Sequence, residues 1–207
     1  MPNNDFRLSA TALLQQAGYS VDYYPGEQVT VPLYQNVPSF RYGLILFRVH
    51  SAMSVETDRS TGQATSVEYL SLFTGEPYDP VKYVEESGVG WAAYYEGGPR
   101  VFAIGARFVE NSMAGKFNKT VVVFMGCEGL KTDATARAFI DRGASVVVGW
   151  TGSVVPEHTD AATLSLLQRI LNDGLPVDQA VSLTASEVGP DPFSGAHLTM
   201  LPLRPPE

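Results

Sequence analysis

A chain of 207 residues with 44% hydrophobic and 17% charged side chains is long enough to bury one sizeable core, and the lack of a Ser/Gly linker or internal repeat predicts one domain, 1–207, with elaborated loops. Its 22 acidic and 14 basic residues give a formal net charge of −8, and Arg41, Arg48, Lys82, Arg100 and Lys131 are scattered, which argues against the clustered cationic footprint of a nucleic-acid binder. A single cysteine excludes an internal disulfide and favours a reducing, cytoplasmic compartment, no stretch approaches the ~20 apolar residues of a membrane span, and Met1 to Ala10 lacks the basic-then-apolar order of a signal peptide.

In chain order, a helix is expected from about Ser9 to Ala17, ended by Gly18, followed by a first strand at Ser20 to Tyr24. The run Gly43 to Val49 is almost continuously apolar, the pattern of a strand covered on both faces. Glu56 to Gly75 and Trp91 to Ile104 alternate apolar and polar residues around the turn-prone Thr61-Gly62 and Glu96-Gly97-Gly98-Pro99, and so predict inserted hairpins. Thr120 to Met125 and Ser145 to Trp150 are two further buried strands. Between them Leu130 to Arg142 is an Ala-rich helix stopped by Gly143. Asp160 to Asn172 places Leu164, Leu167 and Leu171 on one helical face, Val177 to Glu187 forms another helix, and His197 to Leu201 a closing strand before a Pro-rich, frayed tail from Pro202 to Glu207. The sum is an α/β fold with a mostly parallel central sheet between helices and with inserted β-hairpins.

Ligands of open α/β sheets bind at the carboxyl ends of the strands, which directs attention to Phe47-Arg48-Val49-His50-Ser51 and Phe124-Met125-Gly126-Cys127-Glu128-Gly129. If the two strands are neighbours, His50 and Cys127 face each other across the sheet edge, the pairing that nucleophilic catalysis requires. A free thiol of pKa ~8.5 needs an imidazole, a helix N-terminus or similar positive potential to attack as thiolate at neutral pH. A helix beginning near Leu130 would aim its N-terminal dipole at the sulfur, and amides from Cys127 to Gly129 would suit an oxyanion. His158, in Pro156-Glu157-His158-Thr159-Asp160, belongs to a helix N-terminus with Thr159 or Asp160 as cap, and His197 opens a strand. Three dispersed histidines and one cysteine show no metal-ligand spacing, and Gly88-Val89-Gly90 and Gly97-Gly98 do not link a buried strand to a helix as a phosphate loop does, so neither metal nor cofactor is expected.

This order of parts resembles the caspase, gingipain and CHAT group of cysteine peptidases, clan CD. A strand ends in His and a small residue, hairpins follow, and a second strand ends in Cys-x-Gly. The more specific part is Ala136-Arg137-Ala138-Phe139-Ile140-Asp141-Arg142-Gly143-Ala144-Ser145-Val146-Val147-Val148-Gly149-Trp150, with Asp160-Ala161-Ala162-Thr163 beyond it, and the resemblance spans roughly residues 40–185. It implies a three-layer caspase/hemoglobinase-like sandwich, a His50 and Cys127 dyad, an oxyanion hole from the Ser51 and Cys127 amides, and a peptide or protein substrate. Were the residue before the scissile bond basic, Glu128, Glu157 or Asp160 would line its pocket. Ser51 stands where the family's Gly usually follows the His, and Gly126 precedes the Cys in place of the commoner lead-in. Two other classes share parts of the pattern. One is an inactive caspase-like binding or scaffold module. The other is an amidotransferase-like hydrolase with Gly-x-Cys-x-Gly, which has Met125 in its first glycine position and would need His158 or His197 from downstream.

Overall fold

The computed structural model describes residues 3–57 and 64–202. In chain order these form α1 (Asn4–Gln16), α2 (Val31–Asn36), β1 (Leu44–Phe47), β2 (Ser51–Thr57), β3 (Ala64–Pro77), β4 (Val89–Ala93), β5 (Arg100–Ile104), α3 (Ala106–Asn111), β6 (Val121–Phe124), α4 (Ala134–Asp141), β7 (Val146–Trp150), α5 (Pro156–Leu171), α6 (Val177–Val188) and β8 (Leu198–Pro202). The architecture is α/β. One sheet has the order β1-β6-β7-β8, parallel except for β8, and a second, antiparallel sheet has the order β2-β3-β5-β4.

The apolar runs explain the first sheet. Val121 pairs in register with Leu44 on one side and with Val146 on the other, so β6 is an interior strand with neighbours on both edges. Successive side chains then alternate between two cores. Ile45, Phe47, Val122, Phe124 and Val147 meet Ala136, Phe139 and Ile140 of α4 and Leu70, Leu72, Phe102 and Ile104 of the second sheet. Val123, Met125, Val146, Val148 and Trp150 meet Phe6 of α1, Leu166 and Leu167 of α5 and Val181 of α6. A strand apolar on both faces needs cover on both, and each fully buried Val or Phe contributes about 1.5–3 kcal/mol.

The expected hairpins form, but they join into one sheet in which β3 and β5 lie side by side. Register shifts between Val55 and Thr57 and between Phe73 and Pro77 bend it. The Thr61-Gly62 turn and residues 203–207 of the tail lie outside the described residues. Among the described residues no helix is long and apolar enough to cross a membrane.

Four boundaries differ from expectation. The helix expected from Ser9 begins at Asn4, because the Asn3 side chain caps it by accepting from Phe6 N at 3.2 Å. Residues 20–24 are not a strand: Tyr24 and Asp22 hold Tyr42 through their side chains, at 2.9 and 2.7 Å, in place of ladder bonds. The helix expected from Leu130 begins at Ala134; before it, residues 128–131 form a turn closed by Lys131 N to Glu128 O (3.1 Å), with the amides of Glu128 and Leu130 bound to Gly152 O (2.7 Å) and Trp150 O (2.8 Å). The helix expected from Asp160 begins at Pro156, the first-turn position that proline favours, with Val155 rather than Thr159 or Asp160 at the cap.

That earlier start places Asp160 inside α5 and 5% exposed, where it needs a partner. Arg48, just beyond β1, supplies it with a two-point contact, Nε to Oδ1 at 2.7 Å and Nη2 to Oδ2 at 2.8 Å, and Asn3 Nδ2 donates to Oδ2 at 2.9 Å. The guanidinium also lies over Phe6, 5.7 Å from the ring centre. One charge pair thus ties the end of β1 to α5 and to the start of α1. Replacing Arg48 by Met should strand the Asp160 carboxylate and cost about 3 kcal/mol in urea unfolding. The double replacement Arg48→Met with Asp160→Leu should recover most of that loss, since an apolar pair leaves no buried charge.

Candidate active site

The parallel pairing of β1 with β6 fixes the site, because it ends both strands at the same edge of the sheet and brings their following turns together. Contact there is intimate. A Cβ on Gly126 would lie 2.4 Å from Val49 O and 2.3 Å from Ser51 Oγ, so only glycine fits. Ser51, 8% exposed, donates from Oγ to Cys127 O at 2.6 Å. Glu128 follows in the left-handed region, φ 61°, and its Oε2 accepts from Met53 N at 3.0 Å while Oε1 pairs with Lys131 Nζ at 3.0 Å.

Cys127 is half-buried, and its Sγ hydrogen-bonds to Val154 O at 3.7 Å. His50 is exposed, with its ring packed beside Tyr94, ring centres 5.0 Å apart, and near Phe73, at 6.3 Å. Partial burial of the ring is the main cause that pushes its pKa below the ordinary histidine value, with the Arg48 charge acting in the same direction, so the neutral imidazole is favoured. Among the described residues no hydrogen bond joins this imidazole to the thiol, though both occupy adjoining turns. Nor does a helix dipole reach the sulfur from Leu130, since α4 starts only at Ala134. What the arrangement offers is a neutral base and a partly accessible thiol, with the Ser51 hydroxyl bound to the Cys127 carbonyl between them.

The other named residues have plainer settings. Asp160 is committed to Arg48 and Asn3, Glu128 to Met53 N and Lys131, and Glu157 is exposed in the first turn of α5. His158 packs on Trp150, 5.1 Å between ring centres, with Nε2 3.2 Å from Gly189 O. His197 is exposed and its backbone pairs with Thr151 at the end of β7, on the far side of β7 from β6. Among the described residues no group of three His, Cys, Asp or Glu side chains is placed to hold a metal. A shallow groove of about 510 Å³ between α1 and α5, lined by Leu13, Leu164, Gln168 and Arg169, contains none of these residues.

Tyr94, Phe73 and Val154 also belong to the site, and sequence reasoning missed them. Tyr94 follows β4 in the Ala92-Ala93-Tyr94-Tyr95 run and lies against both His50 and Phe73; its hydroxyl donates to Thr74 O at 3.1 Å. Asp191 was missed as well, although Asp-Pro-Phe-Ser-Gly is a turn signature. Its Oδ1 accepts from Phe193 N at 3.0 Å and Ser194 N at 2.9 Å, and its Oδ2 from Val155 N at 2.8 Å, which sets the loop carrying Val154 against Cys127.

Comparison of the chain with protein-family models, curated proteins and solved structures finds no match.

Asp191 is 2% exposed, and burial opposes its ionisation, but the amides of Val155, Ser194 and Phe193 outweigh that and hold its pKa below the usual 3.8. A carboxylate with a depressed folded-state pKa stabilises the fold above its unfolded value and loses that contribution as pH falls through the folded value. Asp191→Ala should therefore cost about 2 kcal/mol at pH 7. The gap in Tm between the two proteins should be constant above about pH 5 and close progressively below about pH 4.

Proposed function

We propose that the chain is a cysteine endopeptidase of the caspase, gingipain and CHAT type, with a caspase-like arrangement of layers, acting on a peptide or protein substrate through His50 and Cys127. The observation that carries this proposal is the seam between the two strand ends. Gly126 admits the Val49 carbonyl and the Ser51 side chain to within van der Waals distance, so the turns bearing an imidazole and a thiol are fixed side by side.

In the proposed reaction neutral His50 takes the Cys127 proton, and the thiolate attacks the peptide carbonyl carbon. The Ser51 and Cys127 amides stabilise the oxyanion. The C–N bond breaks as imidazolium His50 returns its proton to the leaving amine, which leaves a thioester on Cys127. Water, deprotonated by His50, then attacks the thioester, the C–S bond breaks, and the proton passes back to the thiolate. A base kept neutral by partial burial beside Arg48 suits the first step. Of the three acids considered for a basic specificity pocket, Asp160 and Glu128 are already neutralised by internal partners, which leaves Glu157, exposed in the first turn of α5, as the carboxylate that an Arg or Lys before the scissile bond would meet.

One observation favours a second function, a binding module that keeps the fold without the chemistry. The thiol bonds to Val154 O and not to the imidazole. The two are separated by exposing the protein and its Cys127→Ala variant to a mixed peptide library while following Cys127 alkylation by iodoacetamide. The peptidase should cleave and lose at least about 10³-fold in rate on Cys127→Ala with its Tm unchanged. Cleavage that survives the substitution refutes it, and an unreactive thiol with no cleavage refutes it in favour of a fold kept without the chemistry.

A further inference from the structure

Ser51 and Glu128 make reciprocal contacts between the two turns that carry the dyad. The Ser51 hydroxyl, from the first residue of β2, holds the carbonyl of Cys127 at 2.6 Å, while the Glu128 carboxylate, one residue past the cysteine, holds the amide of Met53 in β2 at 3.0 Å. β2 is an edge strand of its sheet, and the outward amides of an edge strand need a partner other than a neighbouring strand. Glu128 provides that partner at Met53. On the other flank, Glu128 N donates to Gly152 O at 2.7 Å, so the peptide joining Cys127 to Glu128 is held through its carbonyl by β2 and through its N–H by the turn after β7.

The conformation of Glu128 is the second indication. A non-glycine residue at φ 61° sits in a region that disfavours a side chain. At 128 the chain keeps a carboxylate, and that carboxylate is bound to β2 at one oxygen and to Lys131 at the other. Backbone cost is offset by a contact that crosses between the sheets. The backbone on the β2 side continues directly to the base, because His50 O accepts from Phe73 N at 2.9 Å and so extends the β2–β3 ladder to the histidine.

We infer that Ser51 and Glu128 are positioning residues, a two-point clamp that sets the Cys127 turn relative to His50 by fastening it to the edge strand of the second sheet. This deepens the peptidase proposal and rests on it for the role of the dyad. It also gives Glu128 a task other than lining a specificity pocket, and it gives Ser51 a side-chain task that glycine could not perform.

The test combines amide exchange at Met53 with the pH profile of Cys127 alkylation by iodoacetamide in the full chain, in Ser51→Ala, Glu128→Ala and Glu128→Gln. The parent should show, besides the thiol's own titration, a lower inflection from His50 below about pH 6.5. Glu128→Ala should speed Met53 exchange roughly tenfold, the loss of a hydrogen bond to a charged group. It and Ser51→Ala should also flatten the His50 inflection. Glu128→Gln, which keeps an acceptor but no charge, should retain both Met53 protection and the inflection. An inflection and Met53 protection that persist unchanged in the two alanine variants overturn the clamp. A parent profile without the inflection instead sinks the dyad itself, and the positioning role with it. The two failures are thus distinguishable, and Ser51→Ala keeps the test open should Glu128→Ala fail to fold.

Discussion

The constraint on which the rest depends is that β7 has no face turned to water. All five of its residues, Val146 to Trp150, are buried, and β6 beside it is nearly so. Strands of this kind oblige the chain to cover both sides, which α1, α5 and α6 do on one face and α3, α4 and the curled antiparallel sheet on the other. Polar chemistry has room only where such strands stop. Even there the approach is tight: a Cβ on Gly149 would lie 3.4 Å from the Gly129 backbone, so the turn that carries Cys127 rests almost directly on the end of β7.

Charge at this edge is compensated locally. Arg48 and Asp160 neutralise each other, Lys131 and the Met53 amide answer Glu128, and three backbone amides answer Asp191. Each set includes one contact between segments distant in sequence, Arg48 to Asp160, Met53 to Glu128 and Val155 to Asp191. Electrostatics thereby does the work of shape, and the turns after β1, β6 and β7 are held in one arrangement by contacts whose loss would leave a buried ion without a partner. His50 lies outside these pairings, beside the Tyr94 and Phe73 rings, and partial burial shifts it toward neutrality.

The sequence was most legible where side chains alone decide the structure. The runs around Leu44, Val121 and Val146 are strands within a residue or two of expectation, and their parallel pairing, with the turns of His50 and Cys127 adjacent, follows from ordinary α/β topology. Legibility failed where a distant backbone group intervened. Leu130 to Asp133 read as helix by composition, yet residues 128–131 close a turn that docks on Trp150 O, and the helix begins at Ala134. Residues 20–24 alternate like a strand, but their tyrosine and aspartate bind Tyr42 instead of a ladder. Asp160 read as a helix cap or as an acid lining a substrate pocket. Its burial was signalled only indirectly, by an arginine closing the apolar run Leu44-Ile45-Leu46-Phe47 and therefore in need of a counter-ion. Nothing local foretold the left-handed Glu128, since its carboxylate answers an amide 75 residues earlier in the chain.

The placement of the two tryptophans has a spectroscopic consequence. Trp150 is 1% exposed, its indole N–H bound to Thr159 at 3.0 Å and its carbonyl to the amide of Leu130 at 2.8 Å, while Trp91 is half exposed with the Arg100 guanidinium 3.9 Å above its ring. An aqueous collisional quencher reaches the second fluorophore and not the first. The light that survives quenching therefore comes from a residue whose own carbonyl helps hold the cysteine turn in place, and the protein carries a built-in optical gauge of that turn, with no label attached.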